Sequence, residues 1–291
     1  MKLLCIRILF LLTILPSNAQ VEGVIVNKNL EPIQYANIWN LDGSAGATTT
    51  IEGKYRVEKA NDSDTLFINA SGYYPLESVY KDTLFLEPII SATDELIVYA
   101  ERITLHTLGG AHVENLYFNP GNTPYMMARH FSHTKETQHL KYLDQVIFFA
   151  KSNVAEATVK IRILDTDEFG CPSYDLTPEP IIVQIRRGVR KNKVDLHPYH
   201  IKMTKNGVFV AVEWILYENN RAPKPGQYFK GYDVFQDYRY APDLVSNRVE
   251  KPNGYRYMYG EWYANEQFLK PEEKTGEKPY IDPAIGLILS N

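Results

Sequence analysis

Some histidines and acids of this 291-residue chain have the types and spacing that metal-dependent hydrolases use. His133 and Glu136 reproduce the His-x-x-Glu spacing of zinc peptidases, and His197 or His200 could supply a third ligand. A catalytic zinc ion needs three protein ligands, one open position and an acid that acts as a base. No second acid stands in a suitable context, so the sequence predicts no catalytic zinc and no other cofactor.

The spacing of the other candidate ligands does not predict a structural metal site or a standard calcium loop either. Residues two apart share one face of a strand, whereas His130 and His133 are three apart and would point to opposite faces. Residues 165–170 begin like a calcium loop, but Leu176 occupies the position where a bidentate glutamate is needed. We therefore expect hydrogen-bonded histidines and an acidic turn, with calcium held by another arrangement left as the alternative.

Nucleophilic catalysis finds no motif either, because the chain has no Gly-x-Ser-x-Gly elbow. Cys171 has no basic neighbour in sequence and is expected to be a half-buried structural residue. Glu213 stands beside Trp214 in an otherwise apolar run. We expect it to pair with a basic side chain inside the fold, and the alternative is a catalytic carboxylate of a glycan hydrolase.

Two surface features are candidates for binding. Residues 186–193 form a basic cluster, expected at the tip of a hairpin, where an anionic glycan or lipid head group could dock. Tyr255, Tyr257 and Tyr259 alternate along a predicted strand, and Trp262 follows. These four residues are the predicted ligand-binding set if their face is exposed, whereas an inward orientation would make them core residues.

The elements that must position these residues are short strands. β-branched and aromatic runs alternate with Gly, Pro, Asn and Asp, and helical periodicity is nearly absent. The runs of the first half are 21–26, 33–39, 54–57, 65–70 and 83–86, and those of the second half are 143–149, 157–164, 181–185, 208–216, 254–259 and 285–289. The sequence therefore predicts an all-β protein made of packed sheets.

The first half carries a family resemblance in residues 20–87. The segments that carry it are Gly23-Val24-Ile25, Glu31-Pro32-Ile33-Gln34-Tyr35-Ala36-Asn37-Ile38, Gly46-Ala47-Thr48-Thr49, Gly53-Lys54-Tyr55 and Ser71-Gly72-Tyr73. They resemble the carboxypeptidase-regulatory-like domain, and Thr50 departs from the Asp or Asn usual in that family. The resemblance implies a transthyretin-like seven-stranded sandwich that acts as a non-catalytic accessory domain of exported bacterial envelope proteins.

The second half is predicted to be a larger, jelly-roll-like β-sandwich. Residues 159–163, 170–172, 194–196 and 208–215 resemble uncharacterised sandwiches that follow the same regulatory-like domain. That resemblance implies a fold and no reaction. The expected organisation is a signal peptide at 1–19, the first sandwich at 20–88, a linker at 89–104 and the second sandwich at 105–291.

The first residues predict export. Lys2 and Arg7 flank a short apolar run, and Ser17-Asn18-Ala19 provides the small residues of a cleavage site. Removal of residues 1–19 would leave 29 basic against 35 acidic residues, so the net charge changes from −4 to −6. This acidity argues against nucleic acid as a partner, and no later segment has the length of a transmembrane anchor. One remaining cysteine, Cys171, permits no internal disulfide.

These observations predict a non-catalytic binding or interaction module of the cell envelope, located in the periplasm or at the cell surface. The expected partner is an envelope glycan or protein. The alternatives are a carboxylate-dependent glycan hydrolase that uses Glu213 and a purely structural surface component.

Overall fold

The computed structural model confirms the all-β class. It describes residues 20–58, 60–89, 105–223, 238–266 and 279–291. Helical structure in these ranges is confined to two 3-10 turns, at His197–Tyr199 and Glu218–Asn220. The predicted signal peptide and almost all of the predicted linker lie outside the described residues. The predicted domain boundaries therefore stay predictions.

Residues 20–89, called here the N-terminal sandwich, contain seven strands in two sheets. The strands are β1 (Gln20–Val26), β2 (Asn37–Asn40), β3 (Gly46–Thr48), β4 (Lys54–Glu58), β5 (Thr65–Asn69), β6 (Leu76–Val79) and β7 (Thr83–Phe85). One sheet has the order β4-β1-β7 and the other β3-β2-β5-β6. Only the β1–β7 pairing in these sheets is parallel. The two sheets enclose a core of aliphatic side chains together with Tyr55.

Tyr55 gives this core a pH dependence that can be tested. Its ring is buried, its hydroxyl donates to the Lys81 carbonyl oxygen at 3.3 Å, and burial raises its pKa to about 12. A raised folded-state pKa favours the neutral phenol, so this contribution to stability is complete below pH 10 and is lost between pH 10 and about 12. The free energy of unfolding, measured by urea titration at several pH values, should therefore decrease less between pH 10 and about 12 in Tyr55→Phe than in the unmodified protein. The exposed Tyr74→Phe is the matched control, and an unchanged slope in Tyr55→Phe would contradict the assignment.

Residues 105–291, called here the C-terminal sandwich, contain the other strands. They are β8 (Leu105–Leu108), β9 (Tyr117–Phe118), β10 (Met126–Phe131), β11 (Tyr142–Thr166), β12 (Pro172–Asp175), β13 (Ile181–Asp195), β14 (Val208–Trp214), β15 (Arg221–Pro223), β16 (Tyr238–Tyr240), β17 (Asp243–Val249), β18 (Gly254–Met258), β19 (Glu261–Ala264), β20 (Tyr280–Pro283) and β21 (Ile285–Ser290). The main path of pairing runs β19-β18-β10-β14-β11-β17-β20, and β15 pairs with β16 separately.

The 25-residue strand β11 joins the two halves of this sandwich, where two separate strands were expected. Its first half pairs with β21 and its second half with β14, while β13 follows both halves. A register shift between Ser152 and Glu156 interrupts the β11–β13 ladder. Such an irregularity bends a strand without ending it. Side chains from both halves, including Phe148 and Ile161, therefore meet in one core.

The basic cluster at 186–193 lies within strand β13 and not at the hairpin tip that was expected. Gly188, with φ +95°, faces Ser152 at the irregular point of the β11–β13 ladder. The positive φ lets the chain follow the bend while it stays paired. The charged side chains of the cluster are exposed along this strand.

Strand β14 is buried along its whole length because both of its faces are covered. Val208, Val210, Val212 and Trp214 belong to the core of the C-terminal sandwich. The alternate residues face the N-terminal sandwich, which contributes Trp39 and Phe67 to a third apolar cluster. Within the described ranges, no helix combines the length and the apolar composition of a membrane span.

Candidate functional site

A charged network occupies the surface where the two sandwiches meet. Lys160 of β11 and Glu213 of β14 are cross-strand partners, and both are 1% exposed. The Lys160 ammonium group lies 2.8 Å from Glu213 Oε2 and donates to the Tyr35 carbonyl oxygen at 2.6 Å. Asn37 Nδ2 donates to Glu213 Oε1. This ion pair therefore has hydrogen-bond partners from the N-terminal sandwich on both of its members.

Arg162 extends the network on the same face of β11. Its guanidinium group binds both oxygens of Asp175, with Nε to Oδ1 at 2.8 Å, and Nη1 donates to Asn69 Oδ1 at 2.8 Å. Nη1 also lies 3.7 Å from Glu213 Oε2, which receives a second positive charge at longer range. The interdomain network is defined as Asn37, Asn69, Lys160, Arg162, Asp175 and Glu213.

Burial and charge pairing act in opposite directions on the two cations. Burial lowers the pKa of Lys160, and the neighbouring Glu213 only partly offsets this effect. Burial also disfavours the charge of Arg162, but Asp175 and Glu213 more than compensate and raise its pKa above the ordinary value. Lys160 is thus a buried cation whose pKa lies below the ordinary lysine value even with Glu213 beside it.

Glu213 is placed as the sequence predicts for a buried ion pair. A hydrolase of the retaining or inverting type needs its carboxylates at the scissile bond of a bound sugar. Glu213 instead lies under the N-terminal sandwich, and its oxygens are held by Asn37 and Lys160. Its arrangement stabilises the contact between the two sandwiches.

The tyrosines of the predicted ligand-binding set do not form a flat exposed platform. Tyr257 is 7% exposed and packs edge-on against Trp39, with ring centroids 6.1 Å apart. Tyr255 is half-buried, and its ring centroid lies 5.1 Å from that of Phe209. Tyr259 lies outside β18, in the two-residue turn before β19, with φ +55°. Two of the three tyrosines therefore follow the inward alternative that the sequence left open.

Tyr259 and Trp262 occupy the rim of this contact. The Tyr259 ring lies over Gly43, where a Cβ atom would come within 2.0 Å of it. Trp262 is the cross-strand partner of Tyr257, and the centroids of their two rings are 5.0 Å apart. The Trp262 side chain remains partly exposed. The β18–β19 hairpin thus has one side against the N-terminal sandwich and one side facing solvent.

A surface pocket of about 500 Å³ opens on the solvent side of this hairpin and is called here the hairpin pocket. Its lining residues are Arg256, Trp262, Tyr263, Ala264 and Glu266. The Arg256 guanidinium carbon lies 5.9 Å from the Tyr263 ring centroid, and Arg256 Nε has no hydrogen-bond partner among the described residues. Tyr263 is 39% exposed, and its hydroxyl donates to Glu261 at 2.9 Å. Aromatic faces beside charged hydrogen-bonding groups are suited to polar ring-shaped ligands.

The histidines of the sequence analysis have partners other than a metal. His133 Nε2 lies 3.2 Å from the Thr137 carbonyl oxygen, and His197 Nδ1 lies 3.2 Å from Asp144 Oδ1. His130 packs on Phe209, and burial lowers its pKa. No group of three or more His, Cys, Asp or Glu side chains in the described ranges is arranged to hold a metal ion.

Residues 165–171 form the acidic turn that was expected. Asp167 Oδ1 accepts the backbone N–H groups of Phe169 at 2.9 Å and Cys171 at 2.7 Å, so it closes the turn. Asp165 Oδ2 accepts the Tyr174 hydroxyl at 2.9 Å. Cys171 is half-buried and forms no disulfide, as the sequence predicts.

Sequence reasoning missed Lys160 and Arg162 as site residues, whereas the hairpin-pocket residues Arg256 and Tyr263 lie within the 255–263 region that it favoured for binding. The signal for the first two is present, because charged residues alternate with Val and Ile at 159–163, and a strand in this pattern is apolar on one face and charged on the other. Their partners in the N-terminal sandwich leave no such signal in the sequence.

Comparison with known proteins does not place this chain in a family. No protein-family model matches it, and no curated protein matches it in sequence. Two solved structures of Cwp84 show a weak structural likeness. One is the clostridial cysteine protease after propeptide cleavage, at 10% identity and a TM-score of 0.42. The other contains the cysteine protease and lectin-like domains of this surface-layer associated protein of Clostridium difficile, at 9% identity and a TM-score of 0.38. Each match covers 85% of this chain, which spans about half of those chains, 51% and 46% respectively. With TM-scores below 0.5, the likeness assigns no activity.

Proposed function

We propose that this protein is a non-catalytic, glycan-binding module of the bacterial cell envelope and that the hairpin pocket is its ligand site. One observation carries this proposal: Tyr263, the cross-strand partner of Arg256, presents its ring beside that guanidinium group in a solvent-open pocket of about 500 Å³. This volume lies in the range of about 300–1,000 Å³ that small-molecule sites occupy.

The chemistry of the pocket favours a sugar over an apolar ligand. The exposed ring of Tyr263 can cover the C–H face of a pyranose, which buries apolar area without losing hydroxyl hydrogen bonds. Among the residues that line the pocket, Arg256 supplies hydrogen-bond donors and Glu266 supplies hydrogen-bond acceptors. A purely apolar ligand would leave both charged groups without a partner, which costs binding free energy.

The export of this module to the periplasm or the cell surface belongs to the same proposal. It rests on the signal-peptide pattern of residues 1–19 and on the resemblance of residues 20–87 to the regulatory-like domain. The N-terminal sandwich would then be an accessory unit that supports the C-terminal sandwich through the interdomain network. The hydrolase alternative is not favoured, because the carboxylate it would use, Glu213, has its oxygens bound inside that network.

Tyr263→Ala should weaken glycan binding at least tenfold, about 1.4 kcal/mol, because the stacking surface is removed. An array of neutral and acidic oligosaccharides, probed with the protein beginning at Gln20, identifies a ligand. Titration calorimetry with that ligand then compares Tyr263→Ala with the unmodified protein.

Phe169→Ala is the matched control, since Phe169 is an aromatic residue that is 82% exposed outside the pocket. Tyr257→Ala is not a suitable probe, because it would also remove core packing against Trp39. If no glycan on the array binds, or if Tyr263→Ala binds as well as Phe169→Ala, the proposed function is wrong.

A further inference from the structure

A second concave site lies between the two sandwiches, on a different surface from the hairpin pocket. This interdomain groove has a volume of about 260 Å³. The N-terminal sandwich lines it with residues 44–47, Arg56 and Glu58, and the C-terminal sandwich lines it with Asn122, Leu216, Arg221, Tyr238 and Tyr240. Because the volume is below the range of drug-sized ligands, the groove suits a smaller molecule.

Arg221 is fixed in this groove by aromatic stacking. Its guanidinium carbon lies 4.3 Å from the Tyr238 ring centroid and 5.9 Å from that of Tyr240. Its Nε atom is buried and has no hydrogen-bond partner among the described residues. A stacked guanidinium group loses little freedom when it binds a carboxylate through two parallel hydrogen bonds.

Glu58 brings the opposite charge to the same groove. Its side chain lines the same cavity as Arg221, yet the two charged groups form no ion pair within 4 Å. No described side chain forms an ion pair with Glu58, whereas Arg56 is bound to Glu22 at 3.2 Å. A cation and an anion thus face one small cavity with a gap between them.

We propose that the interdomain groove binds a free α-amino acid as a zwitterion. Arg221 binds the α-carboxylate and Glu58 binds the α-ammonium group, each through charge-assisted hydrogen bonds. Leu216 and the ring of Tyr240, both buried, form the apolar wall that receives an aliphatic side chain. The ligand completes two charge pairs that the protein leaves open and joins the two sandwiches across their contact.

The test removes each charge from the ligand and from the protein in turn. The probes are L-alanine, L-valine and L-leucine, with alaninamide lacking the carboxylate and N-acetylalanine lacking the ammonium group. Binding to the purified protein is measured by titration calorimetry and by ligand-observed NMR. We expect a zwitterion to bind at least tenfold more tightly than either blocked analogue.

The protein variants provide the matched half of this comparison. Arg221→Gln should bind alanine no more tightly than the unmodified protein binds alaninamide. Glu58→Gln should bind alanine no more tightly than the unmodified protein binds N-acetylalanine. Arg187→Gln and Glu168→Gln change exposed residues that do not line the groove and should bind as the unmodified protein does. Circular dichroism and thermal melting establish that each variant is folded.

The amino acids are tested up to 10 mM, a concentration about a hundredfold above the dissociation constant of a modest site. If none of the three binds at that concentration, this proposal is overturned. Binding that survives Arg221→Gln, or blocked analogues that bind as well as the zwitterion, would overturn it too. Glycan binding at the hairpin pocket is independent of these outcomes, since Tyr263→Ala should leave amino-acid binding unchanged.

Discussion

Glu213→Ala should lower the free energy of unfolding by about 3–5 kcal/mol, because it leaves Lys160 buried without its anion. Lys160 and Glu213 are both 1% exposed and lie 2.8 Å apart, so the ammonium group that loses its partner is shielded from bulk solvent. Asn37 would also lose the acceptor of its side-chain amide. Urea unfolding followed by circular dichroism measures the loss at pH 7.

The deficit of this variant should become smaller as the pH rises. Burial already lowers the pKa of Lys160, and loss of Glu213 removes the charge that opposes this shift. The folded variant then binds fewer protons than the unfolded chain up to the ordinary lysine pKa of 10.5. Its stability therefore rises with pH across that window.

Two further variants separate the ion pair from a general effect of substitution. Glu218→Ala removes an exposed carboxylate four residues beyond Trp214 and should change stability by less than about 0.5 kcal/mol. The double variant Lys160→Met, Glu213→Leu removes both charges and should recover part of the loss. A Glu213→Ala variant as stable as Glu218→Ala would contradict the buried network.

Local patterns predicted the strands well where one chain segment determines its own environment. Residues 208–214 are apolar except at Glu213, which is typical of a strand covered on both faces, and β14 is such a strand. Strand β11 was divided wrongly, because Ser152 and Glu156 mark a polar interruption that has the composition of a turn. The ladder with β13 keeps the chain extended through this point, and that pairing is not visible in β11 itself.

The candidate sites were less predictable because their residues meet through long-range packing. Asn37 and Glu213 are 176 residues apart in sequence, and Asn69 and Arg162 are 93 apart. The alternation of Tyr255 and Tyr257 placed both on one face, but it could not show that the N-terminal sandwich covers this face. Tyr259 was assigned to the same strand, whereas Gly260 at φ +84° makes these two residues the turn of the hairpin.

Trp39→Ala should remove the aromatic anchor of the contact between the sandwiches and cost about 3–5 kcal/mol. Trp39 is 2% exposed, and its ring packs on Phe67 at 5.0 Å and on Tyr257 at 6.1 Å. It lies at the centre of the third apolar cluster, away from the core of either sandwich. The N-terminal and C-terminal cores should therefore remain packed while their mutual contact weakens.

This separation of effects predicts a change in the form of the unfolding curve as well as in its midpoint. If Trp39 and the interdomain network couple the sandwiches, the unmodified protein unfolds in one transition and Trp39→Ala unfolds in two. Calorimetry resolves the two cases, and Phe169→Ala, which removes an exposed ring, should keep a single transition. A single transition in Trp39→Ala, shifted only slightly in temperature, would mean that the charged network alone couples the sandwiches. The two-transition outcome would instead show that apolar burial at Trp39 supplies the coupling, with the ion pairs fixing the orientation of the contact.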